Sequence, residues 1–106
     1  MKVVHCKKES YDIYVGRPSK WGNPFSHKEN TKAKYKTSSI KEALDKYRDW
    51  IENGEGQYLL KDLCELKGKT LGCWCGHFTE DSKAYRCHGQ ILIELVKKYC
   101  SNNKLF

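Results

Sequence analysis

Long apolar runs are what this sequence most plainly lacks. No segment of its 106 residues approaches the roughly 20 apolar positions that a membrane-crossing helix needs, and the opening stretch MKVVHCKKES is too polar for a secretory leader. The chain is therefore expected to stay in the cytoplasm and to have no membrane partner. Proline is scarce too: the two that occur, Pro18 and Pro24, lie close together, and no linker, internal repeat or low-complexity tract divides the chain. A length that supports one hydrophobic core but not two makes residues 1–106 a single α/β domain in expectation.

Acidic residues are the minority charge. Against 20 Lys and Arg stand 13 Asp and Glu, and the resulting +7 favours anionic partners, either a nucleotide-like small molecule or nucleic acid, through long-range attraction. No motif that reads DNA or RNA accompanies that charge. Lysines scattered through Lys7, Lys8, Lys28, Lys32, Lys34 and Lys36 would equally suit an ordinary soluble surface. Nothing in the sequence speaks to oligomeric state.

What the chain has in excess is cysteine. Six in so short a sequence would suit a disulfide scaffold, but a reducing cytoplasm argues for thiols, metal ligation or redox chemistry. Cys6, Cys64 and Cys100 fall at apolar-patterned positions or near the end and read as core or incidental residues. Cys73, Cys75 and Cys87, with His88, are different, because local patterning brings them to the ends of two elements.

Val3 to Cys6 and Tyr11 to Val15 are short β-rich runs whose polar connection suggests a hairpin. Arg17 to Thr37 shows no periodicity and reads as a long loop, with His27 a solvated residue within it. Ser39 and Glu42 form a capping box ahead of Ile40, Ala43, Leu44, Tyr47, Trp50 and Ile51, a helical stripe ended by Asn53 and Gly54. A second short helix is expected from Gln57 to Glu65 and a third strand from Thr70 to Cys75. A polar loop from Gly76 to Arg86 then leads to a last helix that starts at Cys87 or His88 and carries Ile91, Leu92, Leu95, Val96 and Tyr99. This order predicts an α/β fold: a small, at least partly parallel sheet flanked by about three helices, Rossmann-like, with ligands beyond the carboxyl ends of its strands.

Alternation along the third strand points the Cys73 and Cys75 side chains the same way and Trp74 the other. Three readings of the cluster then stand open. In the first, Cys87 is a reactive thiolate whose pKa the helix N-terminus lowers, His88 is its acid, base or donor, and the helix start with Arg17 cradles an anion. In the second, Cys75, Cys87 and His88, with Cys73 or His77 as fourth donor, bind zinc. The C-x-C spacing departs from the usual knuckle, and the adjacent Cys87 and His88 do not easily reach one ion. In the third, the cysteines are small buried hydrophobes and His88 a cap.

His5, on a strand beside Cys6, faces either the site or an edge. Gly16 and Arg17 end the second strand. Trp21-Gly22-Asn23-Pro24-Phe25 suits the wall of a planar-ligand site, although Trp21 and Phe25 could as well close the core, while Arg17 and Asn23 lean towards function.

Taken together, Tyr14-Val15-Gly16-Arg17, Trp21-Gly22-Asn23-Pro24-Phe25, Leu71-Gly72-Cys73-Trp74-Cys75 and Cys87-His88-Gly89 resemble the family known as domain of unknown function 4326, found mainly in bacteriophages, bacteria and large viruses. The resemblance runs from about Val3 to Tyr99. It implies that Gly16, Arg17, Gly22, Asn23, Pro24, Phe25, Cys73, Trp74, Cys75, Cys87 and His88 are motif residues, and it implies no particular activity. This chain departs from the pattern in the long insert between Cys75 and Cys87 and in Gln90, where the family commonly has an acid.

Overall fold

Local chemistry starts and stops the helices where the sequence implies. In the computed structural model, which describes residues 1–26 and 35–100, the hydroxyl of Ser39 accepts the Glu42 amide at 3.0 Å and opens helix α1, Ile40–Asn53. The carboxylate of Glu42 reaches back one residue further than a standard capping box, to the amide and hydroxyl of Ser38 at 2.7 and 2.8 Å. Helix α1 ends where the Gly54 amide bonds the Trp50 carbonyl at 3.0 Å. Its buried stripe is Ala43, Leu44, Tyr47 and Ile51.

A 3₁₀ helix, Glu55–Leu66, follows at once and buries Leu59, Leu63 and Leu66. This is the second helix of the expectation, tighter in winding and longer by a few residues. The last helix, α2, His88–Cys100, buries Ile91, Leu92, Ile93, Leu95 and Val96 and places Lys97 and Lys98 in its final turn, where cations oppose the negative end of the helix dipole.

The strands are β1, Lys2–His5; β2, Ile13–Tyr14; β3, Phe25–Ser26; β4, Tyr35–Lys36; β5, Thr70–Cys73; and β6, Phe78–Thr79. Four of them form one sheet in the order β2-β5-β1-β6. Strands β1 and β2 both run parallel to β5, which lies between them, so the hairpin suggested by their sequence adjacency does not form. Strand β5 takes the central place because Leu71 can enter the core between Val3 and Ile13, its register partners on either side. Strand β6, inside the supposed polar loop, adds an antiparallel edge through Val3 and Phe78. The α/β expectation thus holds, with a small mixed sheet that is parallel at its centre and, among the described residues, three helices.

The long loop after β2 is not structureless. Strands β3 and β4 pair in parallel, Phe25 opposite Tyr35 with their rings stacked 5.1 Å apart, so the chain closes a small second sheet beside α1. His27 and the lysines at 28, 32 and 34 lie outside the described residues.

The core joins both layers: Val3, Val15 and Leu71 from the sheet side, Leu44, Tyr47 and Ile51 from α1, Leu59 and Leu63 from the 3₁₀ helix, and Ile91, Leu92 and Leu95 from α2. Truncating any of these leucines to alanine costs about 2–5 kcal/mol. Because the 3₁₀ helix packs against the end of α2, Cys64 and Cys100 come within 5.6 Å between Cα atoms and form a disulfide across 36 residues. These two are therefore not incidental thiols, as their positions in the sequence suggest. Among the described residues, no helix is long and apolar enough to cross a membrane.

Candidate metal centre and adjoining cleft

Strand β5 delivers Cys73 at its last residue, and the chain turns immediately so that Cys75 folds back beside it, Sγ to Sγ 3.7 Å. The start of α2 arrives from the other side. Its first residue, His88, lies with Nδ1 4.0 Å from the Cys73 sulfur, and Cys87 precedes it. The four ligand atoms of Cys73, Cys75, Cys87 and His88 all lie within 4.8 Å of one another, close enough to hold a metal ion.

The adjacent Cys87 and His88 do converge, contrary to the expectation from their sequence. At a helix start the backbone is not yet helical on one side, so neighbouring side chains can swing to a common point. His77, the alternative fourth donor, stands apart, half exposed and bonded to Glu9 at 2.8 Å. His5 also lies outside the group: its Nδ1 accepts the Lys7 amide, and its ring meets Trp74 edge-on at 5.6 Å.

His88 is oriented by its surroundings. Its Nε2 is 2.6 Å from the backbone carbonyl of Val15, an acceptor only, so Nε2 carries the proton and Nδ1 presents its lone pair to the thiols. The ring edge rests on Tyr47, 5.3 Å between centroids, and Tyr47 is itself pinned by donating its hydroxyl to the Trp21 carbonyl at 2.5 Å. The Gly89 amide donates to the Cys87 sulfur at 3.4 Å, a contact that steadies a thiolate.

The thiols do not titrate as the sequence suggests. Cys87 is 1% exposed, and its thiol is pushed well above the usual value, first by Cys73, then by Cys75 and by burial. The Cys73 thiol shifts the other way, below its usual value, first through its hydrogen bond with Cys75 and then through that with Cys87. Three sulfurs this close cannot all carry charge without a cation among them.

Nor is the start of α2 an open anion cradle. The side-chain oxygen of Gln90 accepts the amides of Arg86 and Cys87 at 2.7 and 2.9 Å, and its nitrogen donates to Ala84.

Beside the Cys/His cluster, at the carboxyl ends of β2 and β5, opens a cleft of about 400 Å³. Cys75 and His88 form the wall shared with the centre, Arg17 and Arg86 line it, and Phe25, Ile40, Ala43 and Leu44 supply an apolar side. Among the described residues, no carboxylate lines it. One nitrogen of Arg17 donates to the Asn23 carbonyl at 2.9 Å, which props the guanidinium at the rim.

Asn23 faces the same cleft, but its amide is committed to structure, accepting from Phe25 at 2.8 Å and donating to the Ala43 carbonyl at 3.3 Å. Trp21 does not reach the cleft. It is 2% exposed in the core and forms no ligand wall. Gly16 stands behind Arg17, where an added Cβ would meet the Tyr14 hydroxyl at 2.4 Å. Arg86 was not singled out from the sequence, although its place next to Cys87 and His88 was a usable signal.

The fold and the site define a small α/β domain built around a Cys3His cluster. The chain belongs to the domain of unknown function (DUF4326) family, whose model matches residues 2–98. It is 34% identical over 100 aligned residues to an uncharacterized protein of Acanthamoeba polyphaga mimivirus, an alignment covering 84% of this chain and 69% of the viral one. No solved structure matches.

Proposed function

We propose that this chain is a zinc-centred binding domain that takes an anionic, nucleotide-like small molecule in the cleft between Arg17 and Arg86. The observation that carries the reading is the dual position of Cys75 and His88, which belong to the metal-ligand group and also line the cleft. Three thiols and one imidazole are the donor set of a closed, tetrahedral structural zinc site. Such an ion would offset two of the three thiolate charges, draw β5 and α2 together and fix the cleft wall. With all four positions filled by protein, it serves architecture, and Cys87 is a ligand in place of a nucleophile.

The two arginines then supply charge-assisted, forked donors for a phosphate or carboxylate, and the apolar side receives a flat or aliphatic body. We place the protein in the cytoplasm, with Cys73, Cys75 and Cys87 kept as free thiols for a metal beside the Cys64–Cys100 disulfide.

Native mass spectrometry of protein purified without added metal is the direct test, with one zinc per chain expected. Calorimetric titration with adenosine and guanosine monophosphates and inorganic pyrophosphate tests the cleft, with Arg17→Ala and Arg86→Ala each weakening binding at least tenfold. A metal-free, fully folded protein would remove the zinc reading. Unchanged affinity in both folded variants would remove the cleft reading.

A further inference from the structure

On the face of the sheet opposite the core lies a set of aromatic side chains that the metal centre and its cleft do not use. Leu71 and Cys73 point into the core, so Gly72 between them points away from it. The ring of Tyr11 lies directly on Gly72, where an added Cβ would meet it at 2.5 Å. Tyr14 is the register partner of Gly72 and shares that face, its ring 6.2 Å from that of Tyr11. The indole of Trp74 donates to the Tyr14 hydroxyl at 2.9 Å, and that hydroxyl donates onward to the Arg17 carbonyl at 3.1 Å.

Trp74 is thus held in place and yet remains 55% exposed, with Tyr11 at 41%. A buried-core role accounts for neither. The rings are fixed by hydrogen bonds and close packing, so stacking a ligand on them requires little further ordering.

A lysine cation lies against these rings. The ammonium of Lys7 lies 5.5 Å from the Trp74 ring centroid, and Lys8 follows in the same turn. The two nearby carboxylates in this stretch are engaged: Glu9 pairs with His77, and Asp12 accepts the Thr70 amide at 2.8 Å. With +7 over the whole chain, the surface complements a polyanion that carries flat, exposed rings.

We infer that this face binds single-stranded nucleic acid, with unpaired bases stacking on Trp74 and Tyr11 and the backbone phosphates running along Lys7 and Lys8. A duplex hides its bases and offers phosphates alone, whereas a single strand satisfies rings and charges together. The inference is independent of the cleft, since none of its residues lies in the metal-ligand group or lines the cleft.

The test is titration of the zinc-loaded full chain with fluorescein-labelled dT15, rU15 and a 15-base-pair duplex, followed by anisotropy at about 50 and 200 mM salt. Single strands are expected to bind more tightly than duplex. Trp74→Ala is expected to lose roughly tenfold or more of that affinity, in line with one stacked base. Lys7→Glu is expected to weaken binding and flatten its salt dependence. Tyr11→Leu keeps the apolar cover over Gly72, so it reports stacking even if Trp74→Ala folds poorly. Zinc content and nucleotide titration of each variant should match the parent chain.

Three results would overturn the inference: no binding at the lower salt, equal affinity for duplex, or unchanged affinity in Trp74→Ala and Tyr11→Leu. Concentration-dependent self-association abolished by Trp74→Ala, without oligonucleotide binding, would assign the face to a second copy instead.

Discussion

The imidazole of His88 and the carbonyl of Val15, 73 residues apart in sequence, meet at 2.6 Å. This contact sets the tautomer that turns Nδ1 towards Cys73, Cys75 and Cys87, and it ties the end of β2 to the start of α2. The carbonyl is followed directly by Gly16 and Arg17. One hydrogen bond therefore links the geometry of the Cys/His cluster to the position of a cleft arginine.

Replacement of His88 should show this double role. His88→Ala is expected to lower zinc affinity by about 100-fold or more, beyond what loss of a supporting contact causes. Competition against a chromogenic chelator measures it. Nucleotide affinity should fall in the same variant, because the cleft loses part of its wall.

Metal removal should destabilise the whole domain, because the four donors come from β5, the turn after it and the start of α2, and otherwise leave crowded thiols in the core. A strong chelator is expected to lower the melting temperature sharply and to broaden the transition in circular dichroism. Acid acts in the same direction. Ligating thiolates must lose their protons, so zinc occupancy decreases as pH falls, and metal analysis after dialysis across a pH series reads this directly.

Away from the centre, Glu52 joins α1 to α2 by accepting from Lys98 and from the Tyr99 hydroxyl, each at 2.6 Å. The Lys98 hydrogen bond, followed by that of Tyr99, holds its carboxyl below the usual value. A folded-state pKa lower than the unfolded one stabilises the protein above the unfolded value, about 4.3, and the gain is lost as pH falls through the folded value. Glu52→Gln should therefore flatten the acid limb of stability measured by urea denaturation, with the two proteins converging at the lowest pH.

Tyr47→Phe tests the support beneath His88. The phenol is fully buried and its hydroxyl is the donor to the Trp21 carbonyl. Its removal leaves that carbonyl unpaired in the core and is expected to cost about 1–3 kcal/mol in urea denaturation. Zinc stoichiometry should be unchanged.

Reduction should act on Cys64 and Cys100 separately from the metal cluster. A disulfide closing 36 residues contributes roughly 3–4 kcal/mol through the unfolded chain. Urea unfolding with and without a metal-compatible phosphine reductant should differ by that order, and the double substitution Cys64→Ala, Cys100→Ala should abolish the difference while keeping one zinc per chain.

How much of this was legible follows the range of the interactions. Helix α1 was readable from Ser39, Glu42 and an apolar stripe at helical spacing, because capping and periodicity act within a few residues. The start of α2 beside Cys87 and His88 was readable for the same reason. Strand adjacency was not: β1 and β2 looked like a hairpin, and only the parallel insertion of β5 between them, set by how Leu71 fills the core, shows otherwise.

Residue types and local patterning determined that Cys73, Cys75, Cys87 and His88 form the chemical focus of this chain, because thiols and imidazole keep their character wherever they are placed. Tertiary structure alone decided what each does: that neighbouring thiols and burial push the Cys87 thiol up rather than down, that Gln90 occupies the helix start, that Trp21 belongs to the core and Trp74 to the surface, and that Cys64 meets Cys100. Those outcomes depend on burial and on distances of a few ångströms between segments far apart in the chain, which local sequence patterns do not encode.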